Sequence, residues 1–274
     1  MIQKVKKHFN ILSSRMSESN TIDNLYKYNN SSMNAILDSF LAVKKNEFSD
    51  NALHAFQKCE KNRQELSTNF TEVTYEIFGS DHKNNVSEIS KKAASPASWC
   101  QFIYSLVVNS NTANVLEIGT NLGVSGTYIL EALQQKEDYQ FLTMEGVAKL
   151  CEIATDAFYK IGDPKKIQVI QGLYENTFPQ ALEQPFKYDL LFIDGNHQEE
   201  PTIKYFHELK SKISSPAIFI FDDINWSQGM KNAWATIKSD SDINFSLDLY
   251  KQGIVIIDKN EKTKGIHHNL HLSY

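Results

Sequence analysis

From about Ser87 onward the chain alternates short apolar runs with stretches of helical periodicity, and this rhythm admits few folds. The runs Asn114–Ile118, Tyr139–Glu145, Ile167–Gln171, Tyr188–Ile193 and Ala217–Phe221 are rich in Val, Ile, Leu and Phe and read as buried strands. Ser125–Gln135, Ala148–Lys160, Glu175–Leu182 and Thr202–Ser211 lie between them with helical spacing. Strands joined through helices run parallel, and the helices must cover both faces of their sheet. The rhythm breaks after a helix around Met230–Lys238. There Ile243–Tyr250 and Gly253–Asp258 are separated only by a turn around Lys251 and Gln252, a connection that makes an antiparallel hairpin. The expected fold is α/β, a Rossmann-like seven-stranded and mostly parallel sheet with an antiparallel C-terminal hairpin.

The first 87 residues differ in texture, with much Asn, Ser, Lys and Glu. Met33, Ile36, Leu37, Phe40 and Leu41, then Leu53, Phe56 and Cys59, recur at helical spacing. Two or three amphipathic helices are expected, joined by polar linkers at Ser17–Asn24 and Ser80–Ser87. The division predicted is an N-terminal helical extension over 1–87 and the α/β domain over 88–274. The extension has three roles open to it: a lid with substrate contacts, a homodimer contact, or plain packing on the main domain.

Composition narrows the partners. The chain has 274 residues and a formal net charge of −5, without the broad positive field that nucleic-acid or membrane-surface binding uses. No apolar run approaches the ~20 residues that span a bilayer. The basic start, MIQKVKKHFNIL, continues into polar residues rather than an apolar core, which argues against a signal peptide. Cys59, Cys100 and Cys151 are odd in number and far apart, the pattern of reduced thiols in a cytoplasmic protein.

The segment Val115–Tyr128 (VLEIGTNLGVSGTY) reads as strand, glycine turn and helix. Gly119 and Gly123 permit torsions and close approach that a side chain would block, and the helix aims its amide dipoles at the turn. Ser125 sits in the first helical turn, and the next strand ends in Glu145, spaced to accept hydrogen bonds from a ribose diol. A dinucleotide fingerprint would need glycine where Asn121 stands. Glu117 ahead of the turn would repel a diphosphate but suits the ammonium and sulfonium of S-adenosylmethionine. An NAD(P)-dependent oxidoreductase is the alternative, and a non-catalytic cofactor-binding protein a second.

VLEIGTNLGVSGTYIL, LTMEG, LLFIDGNH and FIFDDINWSQGM together resemble the successive motifs of class I S-adenosylmethionine-dependent methyltransferases. The branch they resemble is the bacterial O-methyltransferases related to catechol and caffeoyl-CoA O-methyltransferases, over about Ser87 to Asp258. AASPASWCQFIYSLV is similar to the helix preceding the first strand in that family, which implies that Ser95 and Trp99 border the cofactor. The resemblance implies methyl transfer to oxygen of a small or medium-sized acceptor, assisted by Mg²⁺ or another divalent cation. By position it makes Asp194 and Asp222 metal ligands, with Asp223 where the family often carries Asn.

Ligands in an open parallel sheet sit outside the carboxyl ends of the strands, where Asp194 and the Asp222-Asp223 pair fall. Carboxylates in neighbouring loops can converge on one hard cation. The alternative for Asp194 is a place at the cofactor edge. The family's D-x-x-K is D-x-x-H here, Asp194-Gly195-Asn196-His197, so His197 is expected as general base or metal ligand. Tyr174 is a candidate neighbour of the adenine. Trp226, Met230 and Trp234 either line an acceptor pocket or pack a helix on the sheet, and packing is favoured. No function is assigned to His267, His268 and His271.

Overall fold

The computed structural model describes residues 15–273, so the basic start of the chain lies outside the described residues. The described part begins with a helix over 15–26 (α1), followed by Ser31–Lys45 (α2) and Asp50–Ser67 (α3). The expected linker at Ser17–Asn24 is therefore helical. Its side chains have low helix propensity, but Ile22 and Leu25 lie on one face and are buried, and tertiary packing overrides propensity. Asn30 and Ser49 cap α2 and α3 by accepting the amide hydrogens of Met33 and Ala52.

The second expected linker is also structured. Glu72–Thr74 (β1) and Lys83–Asn85 (β2) pair antiparallel around a short 3₁₀ turn at Glu76–Phe78, and Asn85 caps the helix Val86–Ala93 (α4). Met33, Ile36, Leu37 and Phe40 are buried as expected, as are Phe56 and Cys59. Leu53 is exposed instead. The inward stripe of α3 runs through Ala52, Ala55, Phe56 and Cys59, and Leu53 lies one helical step, about 100°, away from Ala52.

After Ala97–Asn109 (α5) the alternation begins. It runs through Asn114–Ile118 (β3), Val124–Leu133 (α6), Gln140–Glu145 (β4), Ala148–Phe158 (α7) and Ile167–Gln171 (β5). Tyr174–Glu183 (α8), Tyr188–Ile193 (β6), Glu199–Leu209 (α9), Ile213–Phe221 (β7) and Gln228–Lys238 (α10) follow. Phe245–Asp248 (β8), Gly253–Ile257 (β9) and Ile266–Asn269 (β10) end the described chain. The large sheet has the order β10-β8-β9-β7-β6-β3-β4-β5. β5, β4, β3, β6 and β7 pair parallel, and β9 alone runs against its neighbours β7 and β8.

Seven of these strands make the expected sheet with its antiparallel hairpin. The eighth, β10, extends the β8 edge in parallel. Its sequence, IHHN, has no apolar run to announce it; only one side is buried by the sheet's edge, and His267 bonds Ser246 at 2.7 Å. His271 is buried beyond it, with Nδ1 3.3 Å from the Arg15 guanidinium.

Strict alternation along the strands produces two cores. Val115, Leu190, Phe192, Ile218 and Ile220 face α2, α3, α5, α6 and α7. Leu116, Ile118, Leu191, Ile193, Phe219 and Phe221 face α8, α9 and α10. Covering both faces explains why the strands read as unbroken apolar runs. Among the described residues no helix is long and apolar enough to cross a membrane. All three cysteines are free and buried.

The helices from the N-terminal stretch share their core with the sheet, so their loss should be felt globally. Phe40→Ala, at a fully buried position, is expected to lower the unfolding free energy by about 3–5 kcal/mol in a denaturant titration. A single unfolding transition of unchanged midpoint would show that α2 is only loosely attached.

Candidate active site

The loop after β3 is held by backbone contacts that only its own residues allow. The amides of Gly119 and Thr120 both donate to the Met144 carbonyl at the end of β4, each at 3.1 Å. Gly119 has φ +104°, and a Cβ there would overlap the Asp194 carbonyl oxygen at the end of β6. Asn121, where a dinucleotide fingerprint has glycine, adopts φ +49°, a left-handed conformation that Asn tolerates better than most residues. α6 starts behind Gly123 with no side-chain cap, so its first amides are left facing the space above the loop.

Two carboxyls flank this loop in different environments. Glu145 ends β4 on the cavity wall, accepting the amide hydrogens of Asn121 and Val147, both at 2.9 Å. Burial raises its pKa against those bonds. Glu117 lies behind the loop and off the cavity wall, fully buried on the α6 side of the sheet. The hydroxyls of Ser125 and of Thr143, its cross-strand partner, donate to its two oxygens at 2.5 and 2.8 Å. Burial pushes its pKa up to about 8 against those two bonds. Ser125 itself reaches the cavity, so it connects the hidden acid to whatever binds there.

The other end of the cavity is built from the loops after β6 and β7 and from the β8–β9 turn. Asp194 faces His197, with Nε2 3.4 Å from Oδ1, and Ser95 Oγ donates to its Oδ2 at 3.4 Å. Asn196 and His197 are both left-handed, at φ +69° and +44°, which folds the ring back towards Asp194. Burial lowers the His197 pKa, but the hydrogen bond and charge of Asp194, with Asp223 and Asp222, outweigh it and leave the ring more basic than usual. Asp222 is buried, and burial together with Asp194 raises its pKa while Lys251 opposes the rise.

Lys251 is the residue that the sequence reading passed over. Its Nζ lies 2.5 Å from Asp222 Oδ2 and 2.8 Å from Asp223 Oδ1, while Gln252 Nε2 donates to Asp222 Oδ1 at 3.0 Å. The three aspartates therefore do not fit a divalent ion as they stand, because both oxygens of Asp222 and one of Asp223 already face donors. Among the described residues no group of three or more His, Cys, Asp or Glu is arranged to hold a metal.

These residues surround a cavity of about 600 Å³ lined by Ser95, Gly119–Leu122, Ser125, Glu145, Tyr174, Asp194, His197, Asp223 and Lys251. A second compartment of about 340 Å³ shares Glu145 and Tyr174 with it and adds Gly146, Gly172, Leu173 and Phe78. Phe78 comes from the turn between β1 and β2, and nothing local in the sequence announced it. Arg63 of α3 donates to the Ser95 carbonyl at 2.9 Å, tying the N-terminal helices to the cavity wall. Trp99 is buried in the core and off that wall. Trp226 is exposed at the cavity mouth, whereas Met230 and Trp234 pack α10 on the sheet.

The raised pKa of Glu117 has a signed consequence. Its folded value of about 8 lies above the ordinary 4.5, so its contribution to stability is full below about pH 4.5 and is lost as pH rises through 8. Glu117→Gln should gain stability relative to the parent between pH 5 and pH 8, by an amount on the order of a few kcal/mol in denaturant titrations. An unchanged difference across that range would mean that the carboxyl is ionised throughout.

The chain is similar to known proteins in sequence and in fold. Residues 116–224 match a family model described as a methyltransferase domain. The O-methyltransferase hkm8 of Aspergillus hancockii is 26% identical over 148 residues, 53% of this chain and 57% of that protein. A putative O-methyltransferase of Mycobacterium sp. (strain JLS) is 32% identical over 88 residues, 32% of this chain and 38% of that protein. The chain thus spans less than two thirds of the length of these relatives. The SAH-bound Podospora anserina methyltransferase PaMTH1 superposes with a TM-score of 0.57 at 17% identity, over 80% of this chain and 92% of that one. The O-methyltransferase from Bacillus cereus in complex with SAH gives 0.53 at 21% identity, over 61% and 84%. The segment from β3 to β7 is thus similar to a methyltransferase domain, and the strand order with its reversed strand β9 is a fold shared with these solved methyltransferases.

Proposed function

We propose that the chain transfers a methyl group from S-adenosylmethionine to an oxygen of a small or medium-sized acceptor. The observation that carries the reading is Glu145. It stands on the wall where the two compartments meet, with its oxygens oriented by amides of the glycine loop and of the α7 entry, as an acceptor for a ribose diol. The smaller compartment, between Phe78, Leu173 and Tyr174, has the flat apolar walls that an adenine would take. The uncapped amides of α6 suit a carboxylate, and the buried acid Glu117 suits positive charge on the same ligand. SAH in the Bacillus cereus and Podospora anserina structures supports the cofactor, and the names of the relatives support oxygen as the accepting atom. The oxidoreductase alternative gains nothing from these comparisons.

When bound, S-adenosylmethionine supplies an electrophilic methyl on a sulfonium. The acceptor end must then take a proton from the attacking hydroxyl. Asp194 faces Nε2 of His197 and favours the tautomer with its proton there, which leaves Nδ1 free to accept. Ser95, whose carbonyl accepts from Arg63, donates to Asp194 from the other side. In this reading the helical extension up to about residue 87 and the domain from 88 work as one unit, with Phe78 and Arg63 as the extension's contributions. Buried free thiols favour a reducing compartment such as the cytoplasm.

Thermal-shift titration decides the cofactor. SAH should raise the melting temperature with increasing concentration and NAD should not. Glu145→Ala should weaken SAH binding by about ten- to a hundredfold in calorimetry. The acceptor end separates from that effect. His197→Ala and Asp194→Ala should keep SAH affinity within about twofold while lowering turnover on a panel of hydroxylated aromatics by about 10²–10⁴. Parallel loss of SAH binding in Asp194→Ala would move that residue to the cofactor edge, and SAH binding without turnover on any acceptor would favour a non-catalytic binding protein.

A further inference from the structure

We propose that Lys251 is the resident cation of the acceptor end, fixed where a divalent ion would have to stand, so that this site works without a metal. The inference rests on reading the cavity as a methyltransferase site, but its chemistry is local. A hard cation needs several oxygen ligands that are free to turn towards it. Here Asp222 gives one oxygen to the Lys251 ammonium and the other to the Gln252 amide, and Asp223 gives Oδ1 to the same ammonium. Asp194 is directed to Ser95 and His197. A divalent ion entering between these carboxylates would meet the ammonium, of like charge, a few ångströms away.

The lysine is held there by its backbone and not by chance rotation. Leu249 donates its amide hydrogen to the Gln252 carbonyl at 2.8 Å, closing the tight turn that carries Tyr250, at φ +73°, and Lys251. Ile224 donates to the Lys251 carbonyl at 3.1 Å, and the Asn225 side chain donates to the Tyr250 carbonyl at 2.8 Å. The β8–β9 turn is thereby stitched to the loop that presents Asp222 and Asp223. An ammonium has three N–H donors, and the two aspartates take two of them. Lys251 also lines the main cavity, where the third donor can meet an acceptor oxygen and stabilise charge developing on it. In this role Lys251 positions the acceptor, and the proton still leaves to His197.

The test reads Mn²⁺ binding to the full chain by calorimetry and electron paramagnetic resonance, with SAH affinity measured alongside. The parent protein should take up no Mn²⁺ up to about 1 mM, and EDTA should leave its melting temperature and SAH affinity unchanged. Lys251→Ala should open the carboxylates and bind Mn²⁺ at least about tenfold tighter than the parent. Lys251→Met, neutral and of similar length, should do the same if the alanine variant fails to fold, whereas Lys251→Arg should not. One Mn²⁺ bound to the parent with a Kd below about 100 µM and lost in Asp222→Asn would overturn the inference. So would folded Ala and Met variants that gain no Mn²⁺. Should the parent fail to bind SAH, the proposed function falls while the Mn²⁺ measurements still decide which cation the site holds.

Discussion

The contact on which the site depends is the approach of Gly119 to the end of β6. Gly119 lies so close to the Asp194 carbonyl that no side chain fits between them, and the Asp194 amide donates back to Ile118 at 2.9 Å. The same loop is pinned to β4 through Met144. Three strand ends are thus locked together by main-chain bonds, and each carries one candidate acid: Glu117 near the end of β3, Glu145 at the end of β4 and Asp194 just beyond β6. Their mutual positions are fixed by backbone and not by side-chain packing. A larger residue at position 119 would force these three ends apart at once, whatever it did to the overall fold.

That geometry crowds negative charge. Glu117, Glu145, Asp194, Asp222 and Asp223 converge around one cavity system, and burial raises the pKa of Glu117, Glu145 and Asp222. Such an array is stable only if its charges are neutralised or paired. The two ends solve this differently. At the end built by the loops after β6 and β7, the Lys251 ammonium and the His197 ring, made more basic by Asp194, supply the positive charge. At the glycine-loop end Glu117 has the hydroxyls of Ser125 and Thr143 as partners, and burial holds it near neutral. A cationic ligand in the cavity would face a buried acid behind Ser125 at one end and a competing cation already in place at the other, which gives the cavity a direction.

Most of the sheet could be read from the sequence because both faces are buried, and a strand covered twice must be apolar throughout. β3 and β6 were legible to the residue for that reason, and the edge strand β5 from its Ile167, Val169 and Ile170. The glycine loop was legible because its torsions exclude ordinary side chains. What escaped had no such local mark. The helix over 15–26 is mostly polar, with only Ile22 and Leu25 buried among its apolar residues, and β10 is a histidine-bearing edge that relies on β8. Phe78 is an isolated aromatic in a charged turn, and its value comes from lying over Gly146, where a Cβ would touch its ring. Among the predicted site residues, Glu145, Asp194, His197, Tyr174, Ser95 and Asp223 share one cavity wall, while Glu117 stands behind it and Asp222 beneath it.

Lys251 shows why residue type at a spacing was not enough. Read by position, Asp194, Asp222 and Asp223 form an oxygen-rich triad, and nothing near them in sequence is basic except His197. The compensating charge arrives from a turn 28 residues beyond Asp223, brought over by the reversal of β9. An acidic cluster in a sequence carries no information about its counter-ion until the topology is known, because a lysine from a distant turn and a metal ion satisfy the same electrostatic need. The two differ in chemistry. A metal ion can exchange, lower the pKa of a bound hydroxyl and be removed, whereas a tethered ammonium is always present and can only donate hydrogen bonds and charge. In the site as proposed, the acidity of the acceptor would matter more, since the proton would have to be taken by a base and not shed through coordination. On the proposed reading, the acceptors best matched to such a site would be hydroxyls already acidified by their own ring or carbonyl, presented to His197 with their oxygen against Lys251.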